Sequence, residues 1–526
     1  MTTQRWSPAN FGEVFWQAVR LYPEKVAIEQ GDLTLTYAQL EERARRAASL
    51  LHRLGIRRGD KVALLMSNDY RFAECLLGAL RTGAVAVPIN IKLGVDALSY
   101  ITSHSEARIL ITTSDLAEKA IAVRNAVPAV ERLLIVGETN LEGGEDYERL
   151  HGDAFPNFAT VEVDDDDVAM LMYTSGSTGQ PKGCLLSHAS KWFTAESSVH
   201  TMMHDERDKA LVIGPLYHAN ALWSSMLPML RVGGGLAILP GFDAVPVLAA
   251  IDRYRPTYMS GTPSMFSLLL AQREALKKYE VRSIDLLLCG SAPVPEELMH
   301  EMKRVFGCEV CETYGLTEAG ANVITPRWGI KKLGSTGLPV PGVEVRIVDL
   351  DDPTRDCAPD EVGELWSRGP ANTLGFYKQP DVTAERLTPD GWLRTGDLMS
   401  ADAQGYIYFR GRKDDMINCG GENIYPKEVE TILLTHPSIA DVCVVATPHQ
   451  VKGQAPVAWV VLHKDAQATE DELKKHFLER GPAYAHPRRI FFVDRLPVSG
   501  TNKIDRKWLT EEAKRLLPEG IVGGSG

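Results

Sequence analysis

The sequence predicts an α/β protein: a large N-terminal domain of two α/β subdomains plus a β-barrel-like subdomain, then a small mobile α+β C-terminal domain. Three observations carry this. Apolar runs of strand length alternate with helix-length amphipathic stretches over most of the chain, as parallel sheets require. From Gly337 to Phe409 the texture changes to short alternating strands cut by Gly, Pro and Asp. At 526 residues the chain also exceeds the usual size of one domain.

The elements follow in order. Ser7-Pro8 resembles a helix cap with proline in the first turn, and Phe11, Val14, Phe15, Ala18 and Val19 follow at helical spacing. Residues 37–55 read as a helix ending on Gly55, a C-cap. "KVALLM" (61–66), "AVAVPIN" (84–90) and "ARILITT" (107–113) read as strands. The acidic run Asp164–Asp167 is expected to be a solvated loop ahead of the strand "VAMLMYTS". "LAIL" (236–239), "YMSGTP" (258–263) and "IDLLLCGSAP" (284–293) continue the strand series, the last two running into glycine-bearing turns. "VEVRIVDL", "GELWSRG" and "GYIYF" make up the antiparallel or barrel-like part. After "GRKDDM" (411–416) come the helix "KEVETILLTHP", the strands "ADVCVVATP" and "APVAWVVLH", and the capped helix "TEDELKKHFLERG". The boundary is expected at Asp414–Asp415, giving domains 1–413 and 414–526. The tail "GIVGGSG" reads as a flexible or engineered end.

Composition excludes several classes. Lys+Arg number 57 against 69 Asp+Glu, a net charge of −12, and no basic block interrupts the acidic balance, which argues against nucleic acid. No apolar run is long enough to span a bilayer, and the N-terminus lacks a signal-peptide core, so a cytoplasmic protein is expected. Cys308 and Cys311 form a C-x-x-C without the second ligand pair that zinc needs, and are expected to be buried.

Five segments carry chemistry. "YTSGSTGQPKG" (173–183) is an apolar strand ending in a turn dense with N–H groups and hydroxyls, able to wrap phosphate oxygens with Lys182 as a point charge. Its spacing is not that of a P-loop, which needs lysine directly after the last glycine. "CETYGLTEAG" (311–320) offers an aromatic face for a purine at Tyr314 and, at Glu318, a hard carboxylate suited to Mg²⁺. Asp397 in "GWLRTGDL" could accept two hydrogen bonds from a ribose diol. Arg412 precedes the predicted boundary, and Lys503 sits in a loop near the C-terminus.

Taken together, in this order and over residues from about 10 to about 510, these motifs resemble the adenylate-forming superfamily of acyl-CoA synthetases, luciferase and peptide-synthetase adenylation domains. The resemblance implies a phosphate loop at Thr174, Ser175, Gly176, Ser177, Thr178, Gly179 and Lys182. It implies an adenine site at Gly290, Ser291, Ala292, Glu312, Thr313 and Tyr314, with Glu312 where relatives often carry Gln or Asn. Thr317 and Glu318 match the α-phosphate and Mg²⁺ positions, Asp397 and Arg412 the ribose pair, and His218 the gate of the acyl pocket. Pocket walls are expected from His218, Ala219, Trp223, Gly261, Thr262, Ser291, Gly315 and Val323. Asp414 matches the hinge and Lys503 the catalytic lysine, preceded here by Asn502 where relatives have glycine. Gly420 and Gly421 would border a tunnel for the thiol arm of coenzyme A.

The implied reaction has two steps: the acid attacks the α-phosphate of ATP, releasing pyrophosphate, and a thiol then displaces AMP. The reading is an ATP-dependent carboxylic acid–CoA ligase (AMP-forming) using ATP, Mg²⁺ and coenzyme A, as a monomer or homodimer. The alternative is a stand-alone adenylation enzyme loading a carrier-protein thiol. "LYHANALWS" (216–224) contains no acid to hold an ammonium group, which disfavours amino acids. Trp223 points to a short, branched, hydroxylated or aromatic acid rather than a long fatty acid, with Asn220 or Thr262 as hydrogen-bond partners.

Overall fold

The computed structural model describes residues 9–138, 142–174, 180–420, 422–498, 504–518 and 520–521. The chain divides into two compact units: Met1–Val345 with Ser367–Arg394, and Arg346–Trp366 with Thr395–Gly526.

The first unit is built on two large sheets. One has nine strands, with a parallel run ordered Glu309–Leu316, Leu286–Gly290, Tyr258–Gly261, Lys209–Val212, Gly235–Ile238, Val26–Gln30. Antiparallel strands Gly320–Ile324 and Leu33–Thr36 flank it. The other has eight strands centred on Val85–Pro88, Lys61–Leu65 and Ala107–Thr113, also parallel, with Val168–Thr174 and Lys182–Ser187 forming an antiparallel hairpin near one edge. The parallel strands are apolar and buried on both faces, as helices on either side demand.

Helix Tyr37–Arg53 follows its sequence signals closely. Thr36 and Gln39 close a capping box, and Leu40, Ala44, Ala47, Ala48 and Leu51 form the buried stripe. The N-terminal helix differs from expectation. The chain makes a short 3₁₀ turn, Phe11–Glu13, capped by Asn10, and only then the helix Trp16–Leu21. Ser7-Pro8 lies outside the described residues. A tertiary contact explains the break: buried Arg81 donates to the Gly12 carbonyl at 2.9 Å and grips both Glu41 oxygens at 3.1 and 2.6 Å. The acidic run 164–167 is not merely solvated, since Arg58 pairs with Asp164 and Asp167 at 2.5 and 2.6 Å.

The barrel-like region is a four-stranded sheet ordered Glu344–Val348, Gly363–Arg368, Leu393–Ala401, Ile407–Arg412. The second unit also holds the sheet of Ile417–Cys419, Glu422–Ile424, Gly453–Leu462, Ile439–His449 and Arg489–Phe492. Helices Pro426–Leu434 and Glu470–Leu478 accompany it, the second with a Thr469/Glu472 capping box. Cys308 and Cys311 are buried free thiols, and burial pushes them up to about 12 and about 11, the inert regime.

Burial works against the Glu41 carboxylate, but Arg81 outweighs it and holds Glu41 below the ordinary carboxylate range. Its stabilisation is therefore complete at neutral pH and is lost as pH falls through that depressed value. Glu41→Gln is expected to cost about 2–3 kcal/mol at pH 7, because it leaves the buried guanidinium with only the more distant Glu13, at 3.7 Å, as its counter-charge. In urea unfolding the variant's deficit should shrink towards acid pH; a constant deficit would contradict the pairing.

Candidate active site

In an open parallel sheet the strand ends at the carboxyl side meet the loops, and ligands bind there. The nine-stranded sheet brings most of the expected residues to that edge. Strand Tyr258–Gly261 runs into Thr262, strand Leu286–Gly290 into Ser291 and Ala292, and strand Glu309–Leu316 into Thr317 and Glu318. His218, after strand Lys209–Val212, caps the helical segment that carries Ala219 and Trp223 and accepts the Asn220 N–H on its Nδ1 at 3.3 Å.

Two close backbone approaches fix this edge. In register, Gly290 lies beside Thr313, and a Cβ on Gly290 would sit 2.5 Å from the Thr313 carbonyl oxygen. A Cβ on Gly315 would sit 2.4 Å from the Gly320 carbonyl. Any side chain at either place would push strands apart, so these glycines are positional rather than flexible. Beyond the second one, Tyr314 pairs across the hairpin with Val323, which is fully buried. Glu312 is buried, and its carbonyl accepts the Thr325 N–H at 2.7 Å.

Glu318 is only 8 % exposed, yet among the described residues its carboxylate has no ion-pair partner. Its own carbonyl is fixed by the Thr373 N–H at 2.7 Å. A buried, uncompensated carboxylate is costly unless a cation joins it. This donor chemistry, a hard oxygen at a strand end, fits Mg²⁺.

The hairpin Val168–Thr174/Lys182–Ser187 puts Thr174 opposite Lys182. These two bracket the expected phosphate loop in sequence, while Ser175, Gly176, Ser177, Thr178 and Gly179 lie outside the described residues. Strand Val168–Thr174 is pinned by Tyr173, whose hydroxyl lies 2.7 Å from His104 Nδ1.

The second unit carries the expected ribose pair. Asp397 and Arg412 are cross-strand partners, bonded at 3.0 Å, with Asp397 buried and Arg412 partly exposed. A second acid–base pair beside it escaped sequence reasoning: Glu364 accepts the Gly396 N–H at 3.0 Å and pairs with Lys413 at 3.3 Å. Asp414 and Gly420 are exposed, and Gly421 and Lys503 lie outside the described residues. The lysine's loop is nonetheless closed at its base: Val498 bridges Ile504, and the Asp505 N–H donates to the Pro497 carbonyl at 2.8 Å.

Sequence reasoning also missed Asn68. Its amide donates to the Gly214 and Leu239 carbonyls at 2.8 and 3.1 Å and accepts the Leu216 N–H at 2.8 Å, positioning the segment that leads to His218. Asn220, a candidate partner for substrate, bonds instead to Ser291 and Ser260 at 3.3 and 2.9 Å, which ties two strand ends to the pocket wall. Among the described residues, the cluster with metal-like spacing is Asp349, Cys357 and Glu361 rather than Glu318, but Arg355 already pairs with both of its carboxylates.

Comparisons with known proteins identify the family. Residues 15–377 match the family model of the AMP-binding enzymes, and residues 428–503 match the AMP-binding enzyme C-terminal domain. The chain belongs to this family, the adenylate-forming enzymes, and is an acid–thiol ligase. It is similar to a feruloyl-CoA synthase from an Amycolatopsis species, 37% identical over 92% of this chain and 95% of the relative. It is similar to a 2-succinylbenzoate–CoA ligase from Bacillus licheniformis, 34% identical over 93% of this chain and 97% of the relative. Among solved structures it resembles an anthranilate CoA ligase in complex with anthranoyl-AMP, with TM-score 0.91, 26% identity and coverage of 98% and 99%.

Gly290→Ala is expected to lower stability by about 1–3 kcal/mol through forced overpacking at the strand end. Thermal unfolding checks it, and an unchanged melting temperature would mean that the strands can part without cost.

Proposed function

We propose that this protein activates an aromatic carboxylic acid with ATP and transfers the acyl group to coenzyme A. The observation that carries the reading is the convergence of Glu318, Tyr314 and the His218–Trp223 wall at one sheet edge. The acid class is supported by the three relatives above, whose names all specify an aromatic acid.

The first step brings an anion up to a polyanion, so its barrier is mainly electrostatic. Little proton transfer is needed, because the substrate acid is already ionised at pH 7. Lys182 and Lys503 offset charge as it develops, and Tyr314 stacks on the adenine. Asp397, kept buried and oriented by Arg412, accepts from the ribose hydroxyls. Mg²⁺, when bound, supplies further positive charge against the phosphates, and Glu318 is the residue to hold it. For the second step we assign the hinge to Asp414 and the thiol path to Gly420–Gly421, with residues 414–526 as the moving domain. One lysine then serves adenylation and withdraws before the thiol arrives.

Lys503→Ala should therefore slow formation of the acyl-adenylate from acid and ATP by about 100-fold or more, as loss of a transition-state charge does. The same variant should still convert a preformed aroyl-adenylate and coenzyme A to the thioester. Equal loss in both steps would sink the two-state assignment. Pyrophosphate release across benzoates, cinnamates and aliphatic acids, with and without coenzyme A, tests the function itself. CoA-dependent turnover confined to aliphatic acids would refute the aromatic class, and turnover with a carrier-protein thiol alone would replace coenzyme A as acceptor.

A further inference from the structure

Lys191 is the most anomalous charged side chain in the first unit. It lies in the first turn of helix His188–Met202, is fully buried, and among the described residues its amine has neither an ion-pair nor a hydrogen-bond partner. Instead the nitrogen rests 3.6 Å above the ring of Trp223, a residue the proposed function places in the acyl-pocket wall. Cation–π contact offsets part of the lost hydration but leaves the three N–H donors unused. Lysine is almost never buried in this way without a partner.

The surroundings share the deficit. Trp223 belongs to a π-helical turn, Leu222–Met226, a rare distortion that recurs at functional sites. Among the described residues its buried indole Nε1–H has no acceptor. Strand Gly320–Ile324, which packs on the same helix, contributes Asn322, fully buried and with both amide atoms unbonded among the described residues. Lys191, Trp223 and Asn322 thus come from three packed elements, and each leaves a polar group unpaired where unpaired groups are normally eliminated.

We propose that Lys191 is a specificity-determining residue that binds a second carboxylate, at the end of the aromatic acid remote from the reacting one. Ammonium and indole nitrogen are donors only, and the Asn322 amide adds a further N–H beside its one acceptor, so donors predominate and a carboxylate, which only accepts, answers them. In a water-poor pocket that pairing is strong, and an acid without the second carboxylate would leave the lysine uncompensated. The inference rests on the ligase reading and names its substrate class more closely. Burial brings the free amine down to about 7, and the Cys184 thiol lies on the neighbouring strand. That thiol is itself pushed well up by burial and stays neutral, and among the described residues it is the only titratable group acting on the lysine.

The test compares matched acids: benzoate with the phthalate isomers, and cinnamate with its ring-carboxylated derivatives, in wild type, Lys191→Met and Lys191→Arg. In wild type kcat/KM should favour a carboxylated member by about 10-fold or more, and Lys191→Met should lower that ratio by about 100-fold, in line with loss of a desolvated charge pair. Lys191→Arg should restore part of it. With the carboxylated acid, wild-type kcat/KM should fall as pH rises through about 7, where the ammonium is lost; with its unsubstituted partner the step should be absent. A structural lysine would lower both acids equally and give both the same pH profile, which would overturn the inference. So would a wild-type preference for the unsubstituted or phenolic acid. Turnover of simple aromatic acids with no gain from the second carboxylate refutes this inference alone, whereas no thioester from any acid refutes the ligase reading as well.

Discussion

The close packing of backbone at the carboxyl ends of the nine-stranded sheet is the constraint on which the rest of the site depends. Thr313 passes so near Gly290, and Gly320 so near Gly315, that neither glycine has room for a methyl group. That proximity sets Ser291, Tyr314 and Glu318 along one edge. It also lets Asn220 reach both Ser291 and Ser260 and so join the pocket wall to two strand ends. The residues proposed to bind are thereby held by sheet register rather than by loop conformation alone, the arrangement that best preserves geometry.

Charge is buried unequally within each unit. Where the chain needs rigidity, acids and cations are paired inside: Arg81 with Glu41, and Arg506 with Glu430 at 2.6 Å. At the site the pairing is incomplete. Among the described residues, Glu318 has no cation beside its carboxylate and Lys191 no anion beside its amine. Structural pairs are satisfied within the chain, whereas site groups are left for ligands to satisfy. The same chain thus combines a scaffold of satisfied pairs with buried groups, Glu318 and Lys191, that the proposed reading assigns to ligands.

Much of this was legible in the sequence. The parallel strands announce themselves as apolar runs ending in glycine, and helices such as Tyr37–Arg53 carry their caps in local sequence. Asp397 and Arg412 are 15 positions apart and still pair, because a hairpin returns one strand directly beside the other. What stayed hidden depends on contacts between distant segments. Asn68 acts on residues 214–239, and Arg81 breaks a helix 69 positions away by bonding Gly12. Nothing near Lys191 in sequence marks it as buried, since it follows polar residues on a helix whose inward face is decided by the π-turn and strand that cover it.

The central claim is that the acid attacks the α-phosphate of ATP and leaves as a thioester with release of AMP. The most direct measurement follows oxygen. An aromatic acid labelled with ¹⁸O in its carboxylate is turned over with ATP and coenzyme A, and the nucleotide product is weighed by mass spectrometry. Attack at the α-phosphate predicts AMP carrying one labelled oxygen and unlabelled pyrophosphate. Label in inorganic phosphate alongside ADP would contradict the account, because the acid would then have attacked the γ-phosphate and no acyl-adenylate would lie on the path.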